Sequence, residues 1–109
     1  MTTAINEVDK IEILTLQDNY VDLISRDNTE MIQKAMPVKD MEVRNSILAE
    51  HGFSSMVTVT KGDEARSILF DFGFSSHGAA FNADALSVDL STVETAVLSH
   101  GHLDHVGGL

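Results

Sequence analysis

The sequence predicts an α/β domain, and three observations carry that expectation. Short β-rich segments recur at residues 10–16, 53–60 and 66–72, with a further apolar run at 96–98. Lys61-Gly62-Asp63-Glu64 joins the middle two segments as a hairpin turn. A helix-compatible stretch ending near Leu86 separates the hairpin from the last apolar run. The order strand, loop, hairpin, helix, strand, polar loop is that of a layered sheet with covering helices.

The elements follow in order. Residues 1–9 are polar and expected to fray. Residues 10–16 (Lys-Ile-Glu-Ile-Leu-Thr-Leu) put Ile11 and Ile13 on one face and Leu14 and Leu16 on the other, which predicts a strand covered on both sides. Thr29 is a suitable N-cap for a short helix to Met36, closed by Pro37. Met31, Met36 and Met41 are expected to fill core space, with a flexible cover over a pocket as the alternative. Residues 53–60 are β-branched in character and pair with 66–72. Gly73 breaks that strand, and Ser75 or Ser76 caps a helix with Ala79, Ala83 and Leu86 on one face. Ser91-Thr92-Val93-Glu94 fits a capping box that starts a single turn before a buried strand at 96–98.

Composition narrows the function classes. At 109 residues the chain is one domain at most, with a modest core. No apolar run approaches the roughly 18 residues of a membrane span, and the start lacks the basic and apolar regions of a signal peptide. The absence of cysteine removes disulfides and thiolate metal sites from this stretch and is compatible with a cytoplasmic location. Seventeen acidic residues against seven basic ones give a net charge of −10. Such a surface repels nucleic acid and anionic membranes, which disfavours a nuclease.

The chemistry concentrates at the end of the chain. Ser99-His100-Gly101-His102-Leu103-Asp104-His105-Val106-Gly107-Gly108 holds three of the five histidines as His-x-His-x-Asp-His. On an extended segment His100, His102 and Asp104 face one side. His105 needs a turn to join them, which Val106-Gly107-Gly108 is expected to supply. Imidazole and carboxylate suit borderline and hard divalent metals, so four such groups in six residues predict a metal site.

This motif resembles that of the metallo-β-lactamase superfamily. Glu50-His51-Gly52-Phe53-Ser54, Ile68-Leu69-Phe70-Asp71-Phe72-Gly73, Asn82-Ala83, Leu90-Ser91 and Val97-Leu98-Ser99-His100 are similar to one branch, the dihydropterin-ribofuranosylaminobenzene-phosphate synthase-like metallo-hydrolases. The likeness is good over about residues 45–109 and loose over 20–44. It implies the N-terminal half of an αββα sandwich, so residues 1–109 would be a partial domain whose C-terminal half is missing.

The resemblance also implies roles. His100 and His102 would bind a first metal and Asp104 and His105 a second, with the remaining ligands downstream. Asp104 would also orient the nucleophile. Asp71 would support the ligand loop without touching metal. Read from the residues alone, Asp71 is equally a strand-end aspartate bonding nearby main chain. His51 would stand at the pocket lip, and His77 has no counterpart. Lone histidines are more often plain surface or core residues.

The implied activity is hydrolysis of an ester, amide or phosphate by metal-activated water, with one or two zinc ions and iron or manganese as other candidates. Two other readings stand beside it. His100, His102 and Asp104 also suit a two-histidine, one-carboxylate iron site for redox chemistry, and the motif could serve a non-catalytic metal-binding module. As half of a ligand set, the chain alone is expected to bind metal weakly, to lack useful turnover, and to self-associate through an uncovered sheet face.

Overall fold

The computed structural model describes residues 1–43 and 45–109. Its centre is a mixed four-stranded sheet built from β1 (Lys10–Gln17), β4 (Ser54–Lys61), β5 (Glu64–Phe70) and β6 (Val93–Val97), in the order β1-β4-β5-β6. β1 and β5 both run antiparallel to β4, and β6 returns parallel to β5. A two-residue turn at Gly62-Asp63 closes the hairpin, with Lys61 opposite Glu64. Gly62 takes φ 57°, where a side chain is disfavoured, and its N–H is held by the Asp9 carboxylate at 2.7 Å. The hairpin is thus the one the sequence predicts, and the α/β class holds.

Helix α1 (Gly78–Ala85) packs against the end of β1. The N-cap position is held by His77 and not by either predicted serine, although Ser75, two residues earlier, accepts from the Gly78 N–H with its Oγ at 2.9 Å. The expected apolar face is only partly the buried one. Ala83 is buried, Ala79 and Leu86 are half-buried, and the fully buried centre of the helix is Asn82. Its amide donates to the Leu16 carbonyl at 2.7 Å and the Leu48 carbonyl at 2.9 Å. Its oxygen accepts from the Leu48 N–H at 2.8 Å. One polar side chain therefore ties α1, β1 and the 48–53 segment together.

Several expectations are corrected. β1 is an edge strand and is not covered on both sides: Ile11 and Ile13 are 59% and 69% exposed, while Leu16 is buried. Residues 29–36 form no helix. Thr29 Oγ1 does accept from the N–H groups of Met31 and Ile32, but the Thr29 N–H bonds the Ile32 carbonyl, which folds the chain back on itself. Asn28 then takes the Lys34 N–H at 2.8 Å. Local side-chain bonds have outcompeted the helix there.

A small hairpin follows, β2 (Val38–Lys39) with β3 (Glu42–Val43), its turn made by Asp40 and Met41 at positive φ. Met31, Met36 and Met41 are exposed and fill no core. Met31 instead lines a cavity of about 560 Å³ beside β1, together with Ile13, Leu14, Tyr20, Ile32 and Leu86. The single turn before β6 spans Leu90–Thr92 and is capped by Asp89, which accepts from the Ser91 N–H, so the predicted Ser91 cap is displaced. The strand it leads to is not buried. Ala96 and Leu98 are exposed, because β6 is the opposite edge of the sheet. The described residues include no helix long and apolar enough to cross a membrane.

Candidate functional site

The histidine motif leaves the sheet at the end of β6, beside the end of β5. There Asp71 bonds the Val97 carbonyl through its N–H at 2.9 Å and turns the chain with φ 56°. Left-handed backbone is uncommon outside glycine, though aspartate is among the residues that visit it. The next residues are stitched to the motif by main-chain bonds. The Phe72 N–H reaches the His105 carbonyl at 2.8 Å, and the Gly107 N–H reaches the Gly73 carbonyl at 3.0 Å. From the other side the Phe53 N–H reaches the Asp104 carbonyl at 3.1 Å.

Gly107 and Gly108 serve this packing. A Cβ on Gly107 would run into the Phe74 carbonyl, and one on Gly108 into the Phe72 carbonyl. Gly107 itself has helical angles. These glycines permit close approach and do not supply the turn, which corrects the sequence expectation. The turn that brings in His105 is helix α2 (Leu103–Val106). The chain leaves β6 after Val97, bends at Ser99 and is extended at His102, which is the N-cap residue, and Asp104 and His105 then sit on a helical turn. The segment is therefore not extended through Asp104.

The side chains converge on Asp71, which is 1% exposed. Its Oδ1 accepts from the Ser99 N–H at 2.7 Å, and its Oδ2 accepts from the Ser99 hydroxyl at 2.6 Å and from His105 Nδ1 at 2.6 Å. Burial pushes its carboxyl up, but the bonds from the Ser99 side chain and main chain, and then from His105, outweigh this and hold it below the usual carboxylate range.

For neutral imidazoles these bonds assign tautomers. With a carboxylate at Nδ1, His105 carries its proton there, so Nε2 keeps its lone pair. Ser99 gives its only hydroxyl proton to Asp71, so at 2.9 Å its oxygen accepts from His100 Nδ1–H, and His100 also keeps a free Nε2. Ser99 thus links Asp71 to His100, a contact that reading for metal ligands passes over. Its sequence signals are adjacency to His100 and its place in the Val97-Leu98-Ser99-His100 stretch that carries the resemblance.

Of the predicted residues, His100, His102 and His105 come together. The His100 ring centroid lies 4.5 Å from that of His102 and 4.2 Å from that of His105. Asp104 Oδ2 lies 3.5 Å from His105 Nε2 and 3.4 Å from His51 Nε2. His77 is exposed at the N-cap of α1 and makes no capping bond with its side chain. Among the described residues, no three histidine, cysteine, aspartate or glutamate side chains stand ready to enclose an ion. The donor chemistry nevertheless fits a divalent metal: imidazoles with Nδ1 committed to bonds and Nε2 available, next to a carboxylate.

Comparison with known proteins places the segment that carries the motif in a known family. A family model described as the metallo-beta-lactamase superfamily matches residues 49–109, more than half of the chain. The chain is similar over all of its length to 7,8-dihydropterin-6-methyl-4-(beta-D-ribofuranosyl)-aminobenzene-5'-phosphate synthase of Methanocaldococcus jannaschii, at 28% identity. The aligned chain spans 30% of that relative's length.

Proposed function

The chain belongs to the metallo-β-lactamase superfamily, and on that premise we propose that it carries part of the metal centre of a hydrolase. His100 and His102 would hold one ion and Asp104 and His105 a second. Zinc fits the donor set, with iron or manganese as other ions of suitable chemistry. When bound, such an ion supplies the Lewis acidity that makes water a nucleophile at neutral pH. The chain's own residues orient the site. Asp71 fixes His105 directly and His100 through Ser99, so that both present Nε2. Asp104 would orient the attacking water toward a small-molecule ester, amide or phosphate.

The observation that carries this reading is the single buried carboxylate serving two motif histidines. Ordered outer partners of this kind are what metal-binding imidazoles require. Zinc titration of the chain and of a His100→Ala, His102→Ala variant tests it. Loss of binding in the variant supports the reading, and superimposable curves contradict it.

Residues 1–109 are read as part of the hydrolase unit, completed by ligands outside them. The relative's greater length and the partial ligand set support this. The exposed Ile11 and Ile13 of β1 would then be open to contact, and self-association of the chain is expected. Sedimentation should show the molar mass rising with concentration, and a single monomeric species up to about 100 μM, far above the dissociation constant of a stable dimer, would contradict it.

A further inference from the structure

We propose that His51-Gly52-Phe53 is a clamp that positions Asp104, with His51 as its side-chain half. The inference rests on the proposed metal-holding role of residues 100–105, but the observations behind it lie in the segment before β4. Three contacts from consecutive residues fall on the same target. The Phe53 N–H donates to the Asp104 carbonyl at 3.1 Å. Gly52, at φ 128°, lies so close that a Cβ there would be 2.5 Å from the same carbonyl oxygen. His51 Nε2 lies 3.4 Å from Asp104 Oδ2.

The clamp is itself anchored. The Gly52 N–H bonds Asn19 Oδ1 at 2.9 Å, the Glu50 N–H bonds the Asp18 carbonyl at 3.1 Å, and the Phe53 carbonyl accepts from the Gly73 N–H at 2.9 Å. Asp104 needs such a partner. It sits on a helix of one turn, and beyond His51 its carboxylate faces His105, whose Nδ1 is already committed to Asp71. Without His51, the side of the carboxylate away from His105 has no cation or N–H donor in the contacts described. The His51 side chain is 71% exposed, so neither core packing nor a buried bond accounts for its direction. Its ring meets Phe74 only at a centroid distance of 6.4 Å. His51 is therefore a positioning residue: it acts on the centre through Asp104.

The experiment compares the unaltered chain with His51→Ala, His51→Gln and, as an exposed control, His77→Ala. The Asp104 side-chain carboxyl carbon is followed by NMR without metal, and zinc affinity by titration. His51→Ala should move the Asp104 resonance and weaken zinc about tenfold, in the range for loss of an outer partner. His51→Gln, which keeps an N–H donor near the same place, should restore most of both, and His77→Ala should change neither. An Asp104 resonance unmoved in His51→Ala overturns the clamp whatever zinc does. A resonance that moves in a chain taking up no zinc upholds the clamp and overturns the metal-holding role instead.

Discussion

Asp71→Asn is expected to weaken zinc binding by about 10- to 100-fold, the usual cost of losing an outer partner of a metal-binding histidine. The substitution keeps the size and shape of a side chain that is 1% exposed, so packing is preserved. The amide can still accept from the Ser99 N–H with its one oxygen. Its NH₂ then faces the Ser99 hydroxyl and His105 Nδ1, both of which donate to the carboxylate. The hydroxyl can rotate. His105 can only accept by moving its proton to Nε2, which takes away the lone pair offered to a metal. The rotated hydroxyl no longer takes the proton of His100 in the same geometry, so both histidines lose their assignment together.

Stability should fall by about 1–3 kcal/mol, the range for a buried group left poorly satisfied. Asp71→Ala should cost more, about 3–5 kcal/mol, because it leaves three donors, the Ser99 N–H and hydroxyl and the His105 Nδ1–H, without their partner and opens a void. Denaturant unfolding and zinc titration of the two variants check both parts. Zinc affinity unchanged in Asp71→Asn would show that the carboxylate does not set the imidazoles.

Asn82→Ala is expected to be among the most destabilising single changes away from the motif. Asn82 is fully buried and satisfies three main-chain groups, the carbonyls of Leu16 and Leu48 and the Leu48 N–H. Alanine leaves all three without their partner and opens a void. At about 1–3 kcal/mol for each buried unsatisfied group, with water able to reach the Leu48 end, the total is about 3 kcal/mol. For a domain of this size that lowers the melting temperature by about 10–20 °C. Hydrogen exchange at the Leu48 amide should accelerate in step. A variant within about 0.5 kcal/mol of the unaltered chain, the range of ordinary surface changes, would show that Asn82 is not the tie between α1, β1 and the 48–53 segment. That segment leads to His51, so the tie also bears on the centre.

What could be read from the sequence was the chemistry of individual side chains. His100, His102, Asp104 and His105 announce themselves by type and spacing, and the hairpin of β4 and β5 by its turn residues. What could not be read was what lies opposite. Ile11 and Ile13 alternate like core residues, and Ala96-Val97-Leu98 reads as a buried run, yet both strands are sheet edges. Periodicity reports which residues share a face but not whether a layer covers it. At Thr29 the cap was legible and the helix was not, because the same hydroxyl that starts a helix also closes a turn. Gly107 and Gly108 looked like turn formers and proved to be points of close approach, which depends on the distant Phe72 and Phe74 carbonyls. Ser99 and Asn82 lie in stretches that carry the resemblance, but their bonds to Asp71, Leu16 and Leu48 join residues far apart in sequence, so residue type alone did not show what they hold.

The central claim is that the motif histidines hold a metal. The direct measurement is zinc affinity and stoichiometry of the purified chain beside its His100→Ala, His102→Ala variant, with circular dichroism as a control for folding. His100 and His102 are both exposed, so the variant should fold. The expected result is weak but saturable zinc binding by the unaltered chain, as its partial ligand set implies, and a further loss of about 100-fold or more in the variant, beyond the cost of losing an outer partner alone. Equal affinity in the two proteins, or no zinc taken up by the unaltered chain, would contradict it.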